Sequence, residues 1–355
     1  MAGRILTDMT IACDCCTLPN LSRRTMIAGG LAALAASGAR AQAPAKPQRI
    51  DVHHHFAPPA WLAEVKGREM LQRANTEWTP QRSIEDMDKG GVASAMISIT
   101  NPGLWFGDKE VTRRVARACN EYGAKLVQDQ PRRFGLFAAM PLPDVDATLK
   151  EIEYAYDTLK ADGVHLFTSY GDVWLGNAAF EPVMAELNRR KALVHVHPTA
   201  ANCCKNLVPD VPPGIMEYGT DTTRAILGVT FSGTAARYPD IKFIWSHAGG
   251  TAPFLAGRIE RGAAALKDHD KRLPNGILHE LRKFHYDTAG AANAGALVSL
   301  LKLVSVAQVL FGTDFPPGGS SADVAKSLAA VGFSEADMRA IDRDNALKLL
   351  PRFAA

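Results

Sequence analysis

The 355-residue chain has little excess charge of either sign, no long apolar run and few cysteines. Lys and Arg number 40 against 37 Asp and Glu, a balance that argues against nucleic acid or an anionic membrane as partner. The mild apolar stretch from Met26 to Ala36 is about eleven residues, too short to cross a ~30 Å hydrocarbon core. Six cysteines, three of them crowded at Cys13, Cys15 and Cys16, make no disulfide framework. A Cys203–Cys204 bridge between adjacent residues would be strained and is not expected. No linker, low-complexity tract or repeat interrupts the chain after its first forty residues. No Gly-x-Gly-x-x-Gly turn follows the first candidate strand, which removes the main argument for a dinucleotide-binding fold.

The first segment stands apart from the rest. Ser22-Arg23-Arg24-Thr25-Met26-Ile27 precedes the Gly/Ala-rich stretch, and Ala39-Arg40-Ala41 offers a small-x-small cleavage site. This arrangement resembles a twin-arginine export signal, which implies passage through the twin-arginine export machinery and a periplasmic product. Residues 1–41 are expected to be a cleaved leader and 42–355 the mature domain. Loss of the leader removes Arg4, Arg23, Arg24, Arg40, Asp8 and Asp14, leaving 36 basic against 35 acidic residues. Such a leader also implies no membrane attachment after cleavage.

The remaining 314 or so residues alternate β-like apolar runs with helical stretches. Strands are expected at Arg49–Phe56, Ala93–Thr100, Phe134–Met140, Gly163–Thr168, Ala192–His197, Lys242–His247, Phe284–Thr288 and Val309–Thr313. Helices are expected at Lys109–Gln128, Ala147–Lys160, Phe180–Arg190, Thr222–Arg237 and Thr251–Leu266. Eight strands alternating with helices predict a single-domain α/β fold, a (β/α)₈ TIM-type barrel.

Four clusters of metal-binding side chains fall on or at the ends of these strands. They are Asp51-Val52-His53-His54-His55, His195-Val196-His197-Pro198, Ser246-His247-Ala248-Gly249-Gly250 and Gly312-Thr313-Asp314-Phe315-Pro316. Barrel active sites form at strand C-termini, so ligands from separate strands can converge on one cation there. Strand alternation turns His53 and His55 to one side and His54 to the other. Asp51 shares the phase of His53 and His55 but sits lower, where it could orient a ligand ring. His197, beside Pro198 at the strand exit, is the better ligand of its pair, and His195 reads as a packed or ring-orienting histidine. His247 closes strand six and Asp314 closes strand eight. His54, His269, His279 and His285 read as structural or exposed. His285 and Asp287 share a face, in a packing or supporting role.

In their order along the chain these motifs resemble the amidohydrolase superfamily. More narrowly they resemble its branch of aminocarboxymuconate-semialdehyde, γ-resorcylate and 6-methylsalicylate decarboxylases. Gly163-Val164-His165-Leu166-Phe167-Thr168, Tyr238-Pro239-Asp240 and Gly249-Gly250-Thr251-Ala252-Pro253-Phe254, running into Gly257-Arg258-Ile259, fit as well. The resemblance covers roughly Arg49 to Leu350. It implies that His53, His55, His197 and Asp314 bind the metal and that His247 is a catalytic proton carrier or polariser beside it. Arg258 falls where related decarboxylases have an arginine near the substrate carboxylate, though a solvated helix-surface arginine is the competing reading. The superfamily's other large class uses a carbamylated lysine on strand four to bridge two ions. Strand four here carries His165 and no lysine, which points to a single ion. Three imidazoles and one carboxylate suit Zn²⁺, and the resemblance keeps Mn²⁺ open. Relatives in this branch are commonly dimers or tetramers, so a homodimer or homotetramer is expected.

The same five residues serve two reactions. In hydrolysis of a lactone, ester or amide, Asp314 would take a proton from water while His247 polarises the carbonyl. In decarboxylation of a small aromatic or enoic acid such as a hydroxybenzoate, Asp314 or His247 would protonate a ring carbon and CO₂ would leave. The branch resemblance and the missing second-ion lysine favour decarboxylation. So does the strand-two loop, where Trp105 and Phe106 could wall a flat ring rather than merely pack the loop. His165 could line the same pocket. Export favours the hydrolase. A non-catalytic metal or ligand binder on the same barrel is the third reading, disfavoured by the complete ligand set plus His247.

Overall fold

The computed structural model describes residues 48–67, 73–204 and 207–354. The expected leader lies outside these residues. Eight parallel strands pair in sequence order: β1 (Arg49–His55), β2 (Val92–Ser98), β3 (Phe134–Ala139), β4 (Gly163–Phe167), β5 (Leu193–His197), β6 (Lys242–Trp245), β7 (His285–Asp287) and β8 (Val309–Leu310). Each is followed by a helix: α1 (Pro80–Gly90), α2 (Lys109–Asp129), α3 (Val145–Asp157), α4 (Glu181–Arg189), α5 (Pro213–Phe231), α6 (Ala252–Ala264), α7 (Ala294–Leu303) and α8 (Ser321–Ala329). The expected (β/α)₈ barrel is therefore observed, with all eight expected strands present. Local chemistry starts the helices where they begin. Thr79, Asp108, Asp144 and Ser320 cap α1, α2, α3 and α8 by accepting backbone N–H bonds. The expected helix Thr222–Arg237 is displaced, because Pro213 opens α5 nine residues earlier and Gly233, at φ 78°, separates α5 from Thr234–Arg237.

Closure between β8 and β1 runs through the chain after β8. Val52 N–H donates to the Phe311 carbonyl (3.0 Å), Asp314 N–H to that of His53 (2.7 Å) and His55 N–H to that of Phe315 (2.7 Å). Asp51 fastens this seam. Its Oδ1 accepts the N–H groups of His53 (3.0 Å) and Thr313 (3.1 Å). Its Oδ2 accepts the Thr313 hydroxyl (2.6 Å) and lies 3.0 Å from His54 Nδ1. Asp51 thus stands with His54 and not, as strict alternation predicts, with the ligand histidines. A register shift between Asp51 and His54 breaks the alternation and places the two on one face.

The barrel interior is layered. Ile50, Val52, Met96, Phe137, Leu193, Ile244 and Leu310 form an apolar cluster with the C-terminal Ala346, Leu350 and Phe353. Above it lie His53, His165, His195 and Asp287, all buried, with His195 stacked 5.4 Å from Phe137. The chain just after β5 also departs from expectation. Cys203 and Cys204 are joined as a vicinal disulfide. They sit together on the single 3₁₀ turn Asn202–Cys204, where Cys203 N–H bonds Asp172 Oδ1 (3.1 Å) and Cys204 N–H bonds the Ala201 carbonyl (2.9 Å).

Asp51→Ala strands several buried donors at the seam, each carrying a desolvation cost. The metal-free variant should lose about 3 kcal/mol or more of stability, read from denaturant unfolding. Wild-type stability would show that the seam does not depend on Asp51.

Candidate metal centre

His53, His55 and His197 bring their Nε2 atoms to one point at the top of the barrel. Each ring is turned there by an acceptor on its other nitrogen. His53 Nδ1 lies 2.9 Å from Asp287 Oδ2, His55 Nδ1 3.2 Å from the Ser98 carbonyl, and His197 Nδ1 2.9 Å from the Pro198 carbonyl. An acceptor at Nδ1 puts the proton there and leaves the Nε2 lone pair free. Asp314 Oδ1 faces those nitrogens at 3.4 Å from His53, 2.9 Å from His55 and 3.9 Å from His197. His53 Nε2 and His55 Nε2 are only 3.1 Å apart.

Lone pairs and a carboxylate oxygen crowded together repel unless positive charge lies between them. His197 Nε2 and Asp314 Oδ1 are both buried with no hydrogen-bond partner among the described residues. Four ligand atoms about 2.1 Å from a tetrahedral ion would sit about 3.4 Å from one another, and the observed separations bracket that value. The donor set therefore fits one divalent cation. The second group of metal-type donors, His53, His195 and Asp287, is better read as hydrogen bonding that supports the first. His53 and Asp287 already share a proton there, and His195 Nε2 lies 3.4 Å from the same Asp287 oxygen.

Electrostatics agree. Burial pushes His55 down to about 4 and His197 to about 3, so both rings are neutral at physiological pH. Burial alone would also lower His53, but the Asp287 and Asp314 carboxylates outweigh it and hold the ring up at about 10. Asp314 is largely withdrawn from water, which alone would raise it, yet the charge on His53 and the surrounding imidazoles hold it well below the carboxylate range. The centre demands a positive charge, and without a metal that charge is a proton on His53.

His247 completes the site from the far side of Asp314. Its Nε2 is 3.4 Å from Asp314 Oδ2, its Nδ1 is buried with no hydrogen-bond partner among the described residues, and its side chain keeps 16% of its exposure. Both residues adopt left-handed backbone, φ 55° at His247 and 60° at Asp314, a conformation that non-glycine residues hold only under surrounding constraint. The His247 turn continues through Gly249 and Gly250. A Cβ on Gly250 would meet the Gly219 carbonyl of α5 at 2.0 Å, and one on Gly249 would meet the Tyr286 ring at 2.7 Å.

A cavity of about 690 Å³ opens over the site, with His197, His247 and Asp314 in its wall. Trp105 does not reach it; Trp105 borders a separate hollow of about 80 Å³ with Phe167 and Tyr170. Phe106 packs against the core. His165 lies one layer below, with Nδ1 3.1 Å from His195 Nδ1 and its ring 6.1 Å from that of His197. Arg258 is exposed on α6 and is not part of the cavity wall. The wall instead includes Asn75, Asn101 and Tyr218, which sequence reasoning missed. They lie on loops or within a helix and carry no spacing that marks them out. Asp287 was legible as a supporting residue from its phase with His285, but its place behind the His53 ring was not.

Comparison with known proteins accords with this geometry. The amidohydrolase family profile matches residues 50–352. The chain is 39% identical over 328 residues to decarboxylase YanB of Aspergillus niger, covering 86% of this chain and 88% of that protein. It is 37% identical over 322 residues to 6-methylsalicylic acid decarboxylase of Penicillium expansum, covering 86% and 96%. The fold also matches the crystal structure of a dihydroxybenzoic acid decarboxylase from Polaromonas sp. with bound manganese and the inhibitor 2-nitroresorcinol. That match has a TM-score of 0.73 at 23% identity and covers 86% of this chain and 97% of that one.

Metal uptake should release protons, because an incoming cation displaces the one held on His53. His55 and His197, already neutral above about pH 4, contribute none. Calorimetric titrations in buffers of different ionisation heat should show close to one proton released per ion between about pH 5 and pH 9. Apparent affinity should rise about tenfold per pH unit across that window. Binding without proton release would mean that His53 is neutral in the metal-free protein.

Proposed function

The chain belongs to the amidohydrolase family, and from that premise we propose that it is a metal-dependent decarboxylase of a small aromatic or enoic carboxylic acid, a hydroxybenzoate being the leading class. The observation that carries this reading is the division of Asp314. One oxygen faces the three ligand imidazoles and the other faces His247 Nε2, so a proton carrier stands directly beside the ion site. The names of the relatives in Aspergillus and Penicillium, both decarboxylases, favour loss of CO₂ over hydrolysis.

His53, His55, His197 and Asp314 would hold the ion, which when bound supplies Lewis acidity and charge for an anionic substrate oxygen. The chain's own residues manage the proton. His247, part exposed at the cavity wall, takes it from solvent and delivers it directly or through Asp314 Oδ2 to the carbon that bears the carboxylate. The bond to the carboxyl carbon then breaks, its electron pair restores the ring, and neutral CO₂ departs. The cavity favours that neutral product. Ile215, Pro212, Pro213, Ala291 and Ala296 contribute apolar wall, and no described lining residue is lysine or arginine. Among the described residues no lysine or arginine side chain of the wall holds a carboxylate in charged form.

Zn²⁺ is the proposed ion, supported by the predominance of imidazole donors. Mn²⁺ is its competitor, being the metal in the solved Polaromonas decarboxylase. We further propose export through the twin-arginine machinery to the periplasm, on the strength of Ser22-Arg23-Arg24 and the small-residue site at Ala39–Ala41. Self-association as a homodimer or homotetramer is proposed as well. Ile215 and Phe254, 76% and 82% exposed, are apolar side chains that a second copy could cover.

His247→Ala should keep near-stoichiometric metal yet lose ~10²–10⁴-fold in kcat, the range for removing a general acid–base group. His197→Ala should lose most of its metal and the activity with it. Metal analysis, paired with CO₂ release over a panel of hydroxybenzoates and with ester and lactone hydrolysis, checks both; hydrolysis without CO₂ release would replace this reading with the hydrolase.

Arg23→Lys combined with Arg24→Lys should leave folded protein in the cytoplasm, followed by cell fractionation. Normal periplasmic accumulation of the double variant would refute the twin-arginine reading.

A further inference from the structure

We infer that Asp287 is a positioning residue that keys the ion site and the proton carrier to a single buried carboxylate. Its Oδ2 lies 2.9 Å from His53 Nδ1, which keeps the proton on Nδ1 and aims the Nε2 lone pair at the ion position. Its Oδ1 accepts the backbone N–H of His247 at 3.0 Å and that of Ala289 at 3.0 Å. The first of these bonds anchors the left-handed residue whose ring carries the proton. The second curls the chain after β7 so that Gly290 lies against the His247 ring, where a Cβ would stand 3.0 Å from Cδ2. Asp287 is fully buried and never meets substrate. It acts through two others.

The two oxygens allow the two roles to be separated. Asp287→Asn keeps an oxygen for both backbone donors but turns an NH₂ group towards His53, favouring the tautomer with its proton on Nε2, where the ion should be. Asp287→Ala removes both supports. This inference rests on the metal reading above, and its kcat comparison uses whichever hydroxybenzoate the wild type decarboxylates.

Three measurements on the full-length protein test it. In zinc-loaded wild type, ¹⁵N NMR of the histidine side chains should show His53 protonated on Nδ1. Chelator competition should show both variants binding Zn²⁺ ~10–100-fold more weakly. At saturating Zn²⁺, Asp287→Asn should recover kcat, while Asp287→Ala should remain ~10–100-fold below it because His247 has lost its anchor. A His53 protonated on Nε2, unchanged zinc affinity in both variants, or equal kcat for the two at saturation would each overturn the proposal. Should Asp287→Ala fail to fold, the wild-type tautomer and the Asn variant still decide. A wild type that binds no zinc would overturn the metal reading itself, whereas a zinc-binding wild type with unaltered variants overturns only the role of Asp287.

Discussion

Two carboxylates, the fully buried Asp287 and the mostly buried Asp314, stand at the top of this barrel among the imidazoles of His53, His55, His195 and His197. Negative charge in so dry a place is tolerable only against positive charge held close by. Much of the local structure follows from meeting that demand. The seam between β1 and the chain after β8 brings Asp314 beside His53 and His55. The acceptors behind the three ligand rings, His53, His55 and His197, keep their Nδ1 atoms protonated. Without metal, the charge is a proton on His53, which the same carboxylates hold up at about 10. The site is thus arranged for a cation before one arrives, and an incoming ion takes over the charge that the proton on His53 supplies in its absence.

The same crowding explains the backbone at the two reactive positions. His247 and Asp314 both adopt φ near +60°, where a side chain meets its own carbonyl. At Asp314 the conformation is held by the N–H bond to the His53 carbonyl, and at His247 by the N–H bond to Asp287. Each anchor is part of the metal-site framework. Local strain here is sustained by the interactions that assemble the centre, so the proton carrier and the ligands are placed by one set of bonds rather than two.

Much of this was legible in the sequence, and the boundary of what was legible has a physical cause. Strand apolarity and helix spacing are local properties, so all eight strands and the alternation that makes a (β/α)₈ barrel could be read from them. The histidine clusters were legible because ligands must sit at strand ends and must share a face. The face of Asp51 was misread because a bulge in β1 is decided by pairing with β2 and by closure against the chain after β8, not by the residues of β1 alone. The early start of α5 was missed because apolar periodicity there is weaker than the proline that begins it. The Cys203–Cys204 bridge was rejected on average strain, whereas the 3₁₀ turn that holds the pair together is a feature of tertiary context.

The substrate-facing wall is the least legible part, and for a reason that bears on function. The ion site is built from strands, whose periodicity any sequence reveals. Asn75, Asn101 and Tyr218 come from a four-residue helix between β1 and α1, the loop after β2, and the body of α5. The Asn101 amide donates to the Pro198 carbonyl at 3.0 Å, the same carbonyl that lies 2.9 Å from Nδ1 of the His197 ligand. That chain of contacts ties the loops to the metal-bearing strand, so a change in the wall would be felt at the ligand beneath it. Loops of this kind can vary in length and composition while the barrel stays the same. It follows that the ion site speaks to the kind of chemistry, and the loops above it to the molecule on which that chemistry is done.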